Sequence, residues 1–197
     1  MTLFSLFLFV YSKIYEYSWG EDMENVKVLP AELENLDEVK KVLYETAEWL
    51  NKKGSTQWAG LLKGKDVHNI EEAINRKEVY LVYRSGDLAG TFALWDKQTH
   101  WDKEFWGEDL LDDFYYLHRL ALSANEHGRN TGSLLLEKAK EIADLNHKTG
   151  LRLDCVASNH YLNEFYKKNG FKLVGSVDQY DNGEDLQDYH LYLWKNN

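Results

Sequence analysis

The sequence predicts an α+β domain built as a three-layer α/β structure, with helices flanking a central sheet. Stretches in which every second residue is apolar alternate with stretches in which apolar residues recur every three or four positions. This mixture of strand and helix periods is typical of layered domains. The chain has 197 residues, of which 44% are hydrophobic, and this suits one compact domain with a sizeable core.

The first part of the domain is predicted to contain a strand and two helices. Residues 26–29 form a short apolar strand that Pro30 ends. Apolar residues at helical spacing predict a helix over 35–52. Residues 55–64 are then expected to form a loop, and residues 67–77 a second helix.

A hairpin and a further strand are predicted in the middle of the chain. Strands over 78–85 and 88–96 meet at a turn over 85–87 that contains glycine. Residues 97–112 interrupt the pattern as an excursion that carries two tryptophans, and a strand over 113–122 follows.

The last part of the chain alternates helices and strands. A helix over 131–146 leads into a strand over 151–157, and a second helix covers 160–168. Strands over 171–177 and 189–195 complete the domain.

The N-terminus differs in character from the rest. Residues 1–22 are rich in aromatic side chains, and their apolar stretch over 3–11 is too short to span a bilayer. It also lacks the basic start and cleavage site of a signal peptide. We interpret residues 1–22 as an extension of a domain over 23–197. The alternative is an added strand or an arm that contacts a second copy in a homodimer.

Charge and composition limit the function. The formal net charge is -10, which argues against a nucleic-acid groove and fits a neutral or cationic small molecule, although acidity often serves solubility alone. The single Cys155 excludes an intrachain disulfide and lies in a buried-strand pattern. The seven histidines are scattered without ligand spacing, so we expect no metal site. A cytoplasmic location, without membrane contact, is the expected setting.

The most specific chemical signal lies at residues 116–132, where a strand enters a short loop and a helix starts at once. Backbone N–H groups of such a loop converge at the positive end of the helix dipole, which predicts an anion site suited to a diphosphate. A P-loop motif does not occur, and a dinucleotide fingerprint is weak because only Gly128 and Gly132 are available. This loop alone does not exclude the alternative that it is an ordinary strand-to-helix turn that binds no ligand.

A second segment carries a family resemblance. Asn159 stands seven residues before Tyr166, and Gly170-Phe171 follow a short helix. Together with LHRLAL and HGRNTGSLLL, this segment resembles the GNAT family of N-acetyltransferases over roughly residues 24–195. The resemblance implies a mixed, mostly antiparallel sheet of about seven strands, with a splay between the fourth and fifth.

The loop departs from the family pattern at two positions. His127 stands where arginine or glutamine is usual, and Asn130 stands where the family has a middle glycine. Asparagine tolerates the left-handed backbone better than other non-glycine residues, so we expect the turn to survive.

The resemblance also implies acetyl-CoA as cosubstrate. Its diphosphate would take backbone N–H bonds from the loop, its pantetheine arm would contact main-chain groups of the fourth strand, and an asparagine would contact the same arm. These cofactor-binding candidates are His127, Gly128, Arg129, Asn130, Thr131, Gly132 and Ser133 in the loop, Leu120, Ala121 and Leu122 on the strand, and Asn159.

Catalysis in such enzymes is direct attack of an amine on the thioester. An alkyl amine has a pKa of about 10 and must lose a proton first, and His118 is the first candidate for the base. Tyr116 lies on the same strand face and is expected to be a wall of the site rather than a base. Tyr166 matches the family tyrosine that protonates the leaving thiolate. A packing role for either His118 or Tyr166 is the alternative.

The acceptor is expected to be a small-molecule amine. Trp58 and Trp95 are the candidates for contact with it. Two alternatives to an enzyme stay open: a non-catalytic acetyl-CoA-binding or regulatory module, which the departures at His127 and Asn130 motivate, and an interaction protein that acts through the aromatic extension.

Overall fold

A computed structural model describes residues 15–16, 26–66, 69–183 and 185–196. The domain contains seven strands in the sheet order β1-β2-β3-β4-β5-β7-β6, and a two-residue strand, Tyr15–Glu16, adds to the β1 edge. The strands are β1 (Val26–Pro30), β2 (Val79–Arg84), β3 (Asp87–Trp95), β4 (Phe114–Leu122), β5 (Gly150–Val156), β6 (Lys172–Asp181) and β7 (Leu186–Lys195). Every neighbouring pair is antiparallel except β4 and β5, so the predicted mixed, mostly antiparallel sheet is confirmed.

Six α-helices flank the sheet among the described residues. They are α1 (Leu36–Lys52), α2 (Ala59–Leu62), α3 (Ile70–Asn75), α4 (His100–Trp106), α5 (Thr131–Leu145) and α6 (His160–Lys168). None of these helices combines the length and the apolar character that crossing a bilayer requires.

The three predicted layers follow from two cores on opposite faces of the sheet. On one face, α1 and α3 bury residues such as Val39, Leu43 and Ile74 against Leu81. On the other face, α5 buries Leu135, Leu136 and Ala139 against strands β3 to β5. Because each sheet residue faces one core or the other, the sheet must be apolar on both sides, as the sequence pattern requires.

Three predicted boundaries need correction. The loop expected over 55–64 contains α2, whose four residues are too few to show a helical period. The helix expected over 67–77 is α3 and covers only Ile70–Asn75, because the Asn69 side chain accepts a hydrogen bond from the Glu72 amide and caps it. Residues 67 and 68 lie outside the described residues.

The third correction concerns residues 97–112, which were predicted as an irregular excursion but contain helix α4. Thr99 and Asp102 form a capping box in which each side chain accepts a hydrogen bond from the other's backbone amide. This box fixes the start of the helix, and Gly107 follows its last turn. The box also buries Asp102, which becomes important for the site.

The N-terminal extension is described only at residues 15 and 16. Tyr15 pairs with Val28 and Glu16 with Lys27, so these two residues form an added strand, which was one of the alternatives. The other residues of 1–22 lie outside the described residues, and the domain boundary at residue 23 stays a prediction.

The most consequential feature of the sheet is the divergence of β4 from β5. The two strands pair only from Phe114 to Tyr116, opposite Gly150 to Arg152, while β5 continues to pair with β7 along its length. A bulge in β4 lies just beyond this point, where Arg119 has a φ of 50° and the register against β3 shifts by one residue. The splay predicted between the fourth and fifth strands is therefore present.

Candidate active site

The loop before α5 has the geometry of an anion site. Gly128 and Asn130 have φ values of 80° and 60°, so the asparagine does adopt the left-handed conformation that a glycine would otherwise supply. Asn130 is the N-cap of α5, and in the described chain its side chain makes no capping hydrogen bond. The first-turn amides of Thr131 and Gly132 are therefore left for an anion at the positive end of the helix.

Two other loop amides are engaged in the structure. The Ser133 amide donates to the Asn130 carbonyl at 3.1 Å, and the Arg129 amide donates to the Glu126 carbonyl at 3.4 Å. Both remain candidate donors for a diphosphate, but they would have to share or exchange these bonds. The geometry favours Thr131 and Gly132.

A buried polar cluster, which the sequence analysis missed, anchors the loop from beneath. The carboxylate of Glu126, only 5% exposed, accepts hydrogen bonds from Arg84 Nη1 at 3.1 Å and from Thr131 Oγ1 at 2.6 Å. Arg84 Nη1 also donates to Thr131 Oγ1 at 3.2 Å. Arg84 ends β2, so this cluster ties the first residue of α5 to the sheet.

His127 has a role that accounts for its departure from the family pattern. Its ring stacks on the indole of Trp49 near the end of α1, with ring centroids 4.9 Å apart and an interplanar angle of 21°. The side chain thus connects the loop to α1. Contact of the His127 backbone with the cofactor stays a prediction.

Gly132 allows a close approach between two helices. A Cβ atom at this position would lie 3.0 Å from Cζ of Phe165 on α6, which is tighter than ordinary van der Waals contact. The absence of a side chain therefore serves the packing of α6 on α5 as well as any approach of a phosphate.

Tyr166 lies in α6 against the core that α5 covers. It is 9% exposed, and its ring contacts those of Phe165, Phe171 and Tyr192. Its hydroxyl makes no hydrogen bond to any residue that the structure describes. Burial is the main reason that its pKa lies far above the usual value, and the charges of Cys155 and Asp154 add to the effect. The phenol therefore keeps its proton at neutral pH and can donate it.

Two asparagines hold the start of α6. Asn159 Oδ1 accepts from the Leu162 amide at 3.1 Å, which caps the helix, so contact with a cofactor arm stays a prediction for this residue. The buried Asn163, which sequence reasoning missed, donates to the carbonyls of Val156 and Asn159 and accepts from the Tyr192 hydroxyl. These bonds fix α6 against the end of β5.

His118 occupies a defined position on β4. Its Nε2 lies 3.0 Å from Oδ1 of Asp102, and its ring packs on the Trp95 indole with centroids 3.8 Å apart. The His118 side chain is 13% exposed, whereas that of Asp102 is 1% exposed. Burial raises the pKa of the Asp102 carboxyl, but the hydrogen bonds from His118 and Thr99 outweigh burial, so its pKa lies below the usual value.

A second carboxylate faces His118 from β5. Asp154 Oδ1 accepts a hydrogen bond from Nε1 of Trp101 at 3.1 Å. Burial raises the pKa of Asp154, while the nearby His118 and the Trp101 hydrogen bond lower it without cancelling the effect of burial. The Asp154 carboxyl interacts electrostatically with both His118 and Tyr166.

Tyr116 has the structural character that the sequence analysis favoured. It is buried opposite Trp95, and its hydroxyl accepts from Arg152 Nη1 at 2.7 Å and lies 3.4 Å from Asp109 Oδ2. Burial is the largest cause that raises its pKa to about 12, partly offset by Arg152. A phenol with this pKa is a poor base at neutral pH, and a role for Tyr116 as a wall of the site stays a prediction.

The two tryptophans proposed to contact the acceptor differ in position. Trp58 is half-buried at the start of α2 and packs on the core beneath α1. Trp95 is 3% exposed and lies against His118, so in this structure it supports the histidine. Contact of either residue with an acceptor stays a prediction.

The remaining strand candidates lie where the splay requires them. Leu120, Ala121 and Leu122 follow the β4 bulge, beyond the last residues of β4 that pair with β5. Cys155, on β5, is a buried core residue whose pKa burial raises to about 12, which agrees with the structural role expected for it.

Comparisons with known proteins give a consistent result. A profile of the acetyltransferase (GNAT) family matches residues 43–171. The chain is 36% identical over 163 residues to the uncharacterized N-acetyltransferase YesJ of Bacillus subtilis (strain 168), a match that covers 83% of this chain and 86% of the relative.

Solved structures match the same fold. A GNAT-family acetyltransferase from Listeria monocytogenes 4b F2365 is 34% identical with a TM-score of 0.71, over 87% of this chain and 95% of that one. The PaiA N-acetyltransferase from Thermoplasma acidophilum, solved in complex with coenzyme A, has a TM-score of 0.61 at 17% identity, over 86% of this chain and 99% of that one. The second likeness concerns the fold alone.

Proposed function

The chain belongs to the acetyltransferase (GNAT) family, and from this premise we propose that it transfers the acetyl group of acetyl-CoA to a primary amine of a small, cationic molecule. It is an acetyltransferase, and acetyl-CoA is its cosubstrate. The observation that supports the finer proposal is the contact with Asp102 made by His118 of β4, just beyond the point at which β4 stops pairing with β5.

The chain's residues fit acetyl-CoA. The left-handed backbone at Asn130 leaves the first-turn amides of Thr131 and Gly132 for the diphosphate. The pantetheine arm fits between the diverging strands, where Leu120, Ala121 and Leu122 offer main-chain groups. Acetyl-CoA supplies the acetyl group already activated as a thioester.

The base must remove a proton from the acceptor, because an alkyl amine is protonated at neutral pH. His118 is the group proposed for this step. It is held by Asp102 and Trp95 on the strand that borders the splay, and part of its side chain is exposed. Backbone N–H groups of β4 beside the splay are proposed to polarise the thioester carbonyl as the amine attacks.

The acid must protonate the departing thiolate. Tyr166 is proposed for this step because burial keeps its proton in place, and its hydroxyl is not committed to another described residue. Asp154 lies on β5 and interacts electrostatically with both the proposed acid and the proposed base.

The class of acceptor follows from charge and enclosure. The ionised carboxylate of Asp102 contacts His118, and Glu104 lies two residues further along α4. A cationic acceptor is therefore favoured. Thr56 Oγ1 donates a hydrogen bond to Asp185 Oδ2 at 3.4 Å, so the loop after α1 contacts the turn between β6 and β7. We propose that this contact restricts access to the site, which favours a small molecule over a folded protein.

A non-catalytic acetyl-CoA-binding module is the alternative. The departure at Asn130 motivated it, but Asn130 has a φ of 60° and preserves the turn, and His127 is accommodated by stacking on Trp49. The loop geometry therefore supports an enzyme with an intact cofactor site.

The test is release of free CoA thiol from acetyl-CoA in the presence of a panel of amines, with products identified by mass. We expect turnover with cationic primary amines, and 1,5-diaminopentane to be a better acceptor than pentylamine, which matches its length but lacks the second charge. Equal use of both would contradict the cationic class. Tight binding of acetyl-CoA without turnover across the panel would favour the non-catalytic module.

A further inference from the structure

We propose that Asp102 is a positioning residue of the acetyl transfer: its carboxylate holds the proton of His118 on Nε2, so that Nδ1 accepts the proton of the acceptor's ammonium. This inference rests on the proposed function, because it names how the proposed base of that site is prepared. Asp102 lies in the excursion between β3 and β4, and nothing in its local sequence distinguishes it from the neighbouring acidic residues.

Both carboxylate oxygens of Asp102 have defined partners. Oδ2 accepts from the Thr99 amide at 2.9 Å and from Thr99 Oγ1 at 2.7 Å, while Oδ1 lies 3.0 Å from His118 Nε2. The carboxylate is therefore fixed by the cap of α4, and it meets the histidine in one orientation. The hydrogen bonds also favour its ionised form.

The tautomer of His118 follows from its contact with this carboxylate. An ionised carboxylate can only accept, so Nε2 must carry the hydrogen that lies between them. In the neutral imidazole the basic lone pair is then on Nδ1. The Trp95 ring packs on the imidazole at an interplanar angle of 30°, and the contact of Nε2 with Asp102 determines which nitrogen faces the carboxylate.

Charged groups lie on the elements around His118. Asp102 faces it from α4 and Asp154 from β5, while β3 contributes the uncharged Trp95. The guanidinium of the next residue on β4, Arg119, is directed to Asp66, with Nη2 2.8 Å from Oδ1. The imidazolium that forms on proton uptake is thus stabilised by the carboxylate of Asp102, with which it is in direct contact.

The resulting reaction balances. One proton moves from the acceptor's ammonium to His118 Nδ1, and the freed nitrogen lone pair forms the C–N bond to the thioester carbon. The C–S bond breaks, sulfur keeps the electron pair, and the Tyr166 hydroxyl supplies its proton. The acylated nitrogen, which is positively charged after the attack, then loses its second proton, and this proton restores the Tyr166 hydroxyl. His118 loses its proton to water, so each acetylation of an ammonium releases one proton.

The decisive variant is Asp102→Asn. Because Thr99 donates twice to the Oδ2 position, the new amide is expected to keep its oxygen there and to present its NH₂ group to His118. That NH₂ group donates to Nε2 and forces the histidine proton onto Nδ1, which removes the base, as in the wrong-tautomer logic of catalytic triads. We expect kcat/KM for the amine to fall roughly a hundredfold, with acetyl-CoA affinity unchanged by calorimetry.

Two readouts separate this role from a structural one. ¹⁵N NMR of His118 should show the proton on Nε2 in the wild-type protein and on Nδ1 in Asp102→Asn. The pH profile of kcat/KM should reach a plateau in the wild type but rise steadily toward the pKa of the amine in the variant. The matched control, Thr99→Val, weakens the same helix cap, yet it should leave the His118 tautomer as in the wild type.

The results that would overturn the role of Asp102 differ from those that would contradict the proposed function. A wild-type His118 with its proton on Nδ1, or an Asp102→Asn variant with the wild-type pH profile, would overturn the inference even in an active enzyme. A wild-type protein that acetylates no amine would contradict the proposed function, whereas the NMR measurement would still report the tautomer.

Discussion

At the scale of single residues, the environment of Tyr166 gives its hydroxyl one chemical option. Burial raises the pKa of the phenol far above neutrality, and no described residue accepts its proton. The hydroxyl therefore keeps its proton at neutral pH and cannot serve as a base, and it is the group proposed to protonate the departing thiolate. The tyrosine is therefore the residue whose replacement should separate chemistry from binding.

We predict that Tyr166→Phe lowers kcat by roughly ten- to a thousandfold while acetyl-CoA affinity holds. The ring, which packs on Phe171 and Tyr192, is kept, so the loss would come from the missing proton. Steady-state kinetics and calorimetry measure the two quantities. Tyr192→Phe is the matched control, since it removes a neighbouring buried hydroxyl that bonds to Asn163. Its kcat should stay within a few-fold of the wild type; unchanged turnover in Tyr166→Phe would end the role of that residue as the acid.

Asp154 should limit the stability of the protein at neutral pH. Its pKa is raised above 3.8 by burial, so the folded state disfavours the ionised carboxylate, and stability is lost as pH rises above that value. We predict that Asp154→Asn, which can still accept from Trp101, raises Tm at pH 8 and that the difference disappears toward pH 4. Thermal melts across this range measure the effect. A variant that is less stable than the wild type at pH 8 would contradict the account.

At the scale of elements, the start of α5 depends on the buried cluster of Arg84, Glu126 and Thr131. We predict that Glu126→Ala lowers the free energy of unfolding by about 3 kcal/mol, because it removes the buried carboxylate that accepts hydrogen bonds from Arg84 and Thr131. Urea unfolding gives the value. Glu141→Ala, which removes a largely exposed partner of Lys138 on the same helix, should change it by less than about 0.5 kcal/mol. Similar decreases in the free energy of unfolding in both variants would show that the buried cluster stabilises the protein no more than an exposed ion pair does.

The contact between α5 and α6 offers a second test at this scale. We predict that Gly132→Val weakens acetyl-CoA binding at least about tenfold, an effect of about 1.4 kcal/mol, because the side chain would stand at the first-turn amides. It would also press on Phe165. Adding Phe165→Leu relieves that pressure and should restore stability but not affinity. Recovery of affinity in the double variant would mean that Gly132 serves packing alone.

The elements that the sequence predicted well have a clear period or a strong terminal signal. α1 and α6 have long runs or capping residues, and their observed bounds differ little from those expected. α2 and α4 were missed because four and seven residues hold too few turns for a period to emerge. The Thr99–Asp102 capping box was the available signal for α4, and it was hidden among other acidic and aromatic residues.

At the scale of the whole molecule, the site could be predicted only in part. The cofactor loop is continuous in sequence, so its conformation, including the left-handed Asn130, followed from local rules. The partners of His118 could not be predicted from local rules, because Asp102 and Asp154 lie on a helix and a strand that are distant from it in the chain. The same holds for Arg84, which contacts Glu126 across 42 positions of sequence. Such contacts arise from the topology of the sheet, which a single sequence does not display.

The N-terminal extension should be dispensable for the fold. β1 pairs with β2 along all five of its residues, so its place in the sheet does not depend on its pairing with Tyr15 and Glu16. We predict that a chain starting at Met23 keeps its Tm within a few degrees and retains acetyl-CoA binding. Light scattering on both chains tests the possible homodimer. A change from a dimer to a monomer on deletion would instead assign the extension to a subunit interface.

The measurement that tests the central claim most directly is a crystal structure of the protein with coenzyme A. The account predicts the diphosphate on the amides of Thr131 and Gly132, the pantetheine arm between β4 and β5, and the sulfur within hydrogen-bonding distance of the Tyr166 hydroxyl. A complex in which coenzyme A binds elsewhere, or in which a side chain such as Phe165 fills the splay at saturating ligand, would contradict it.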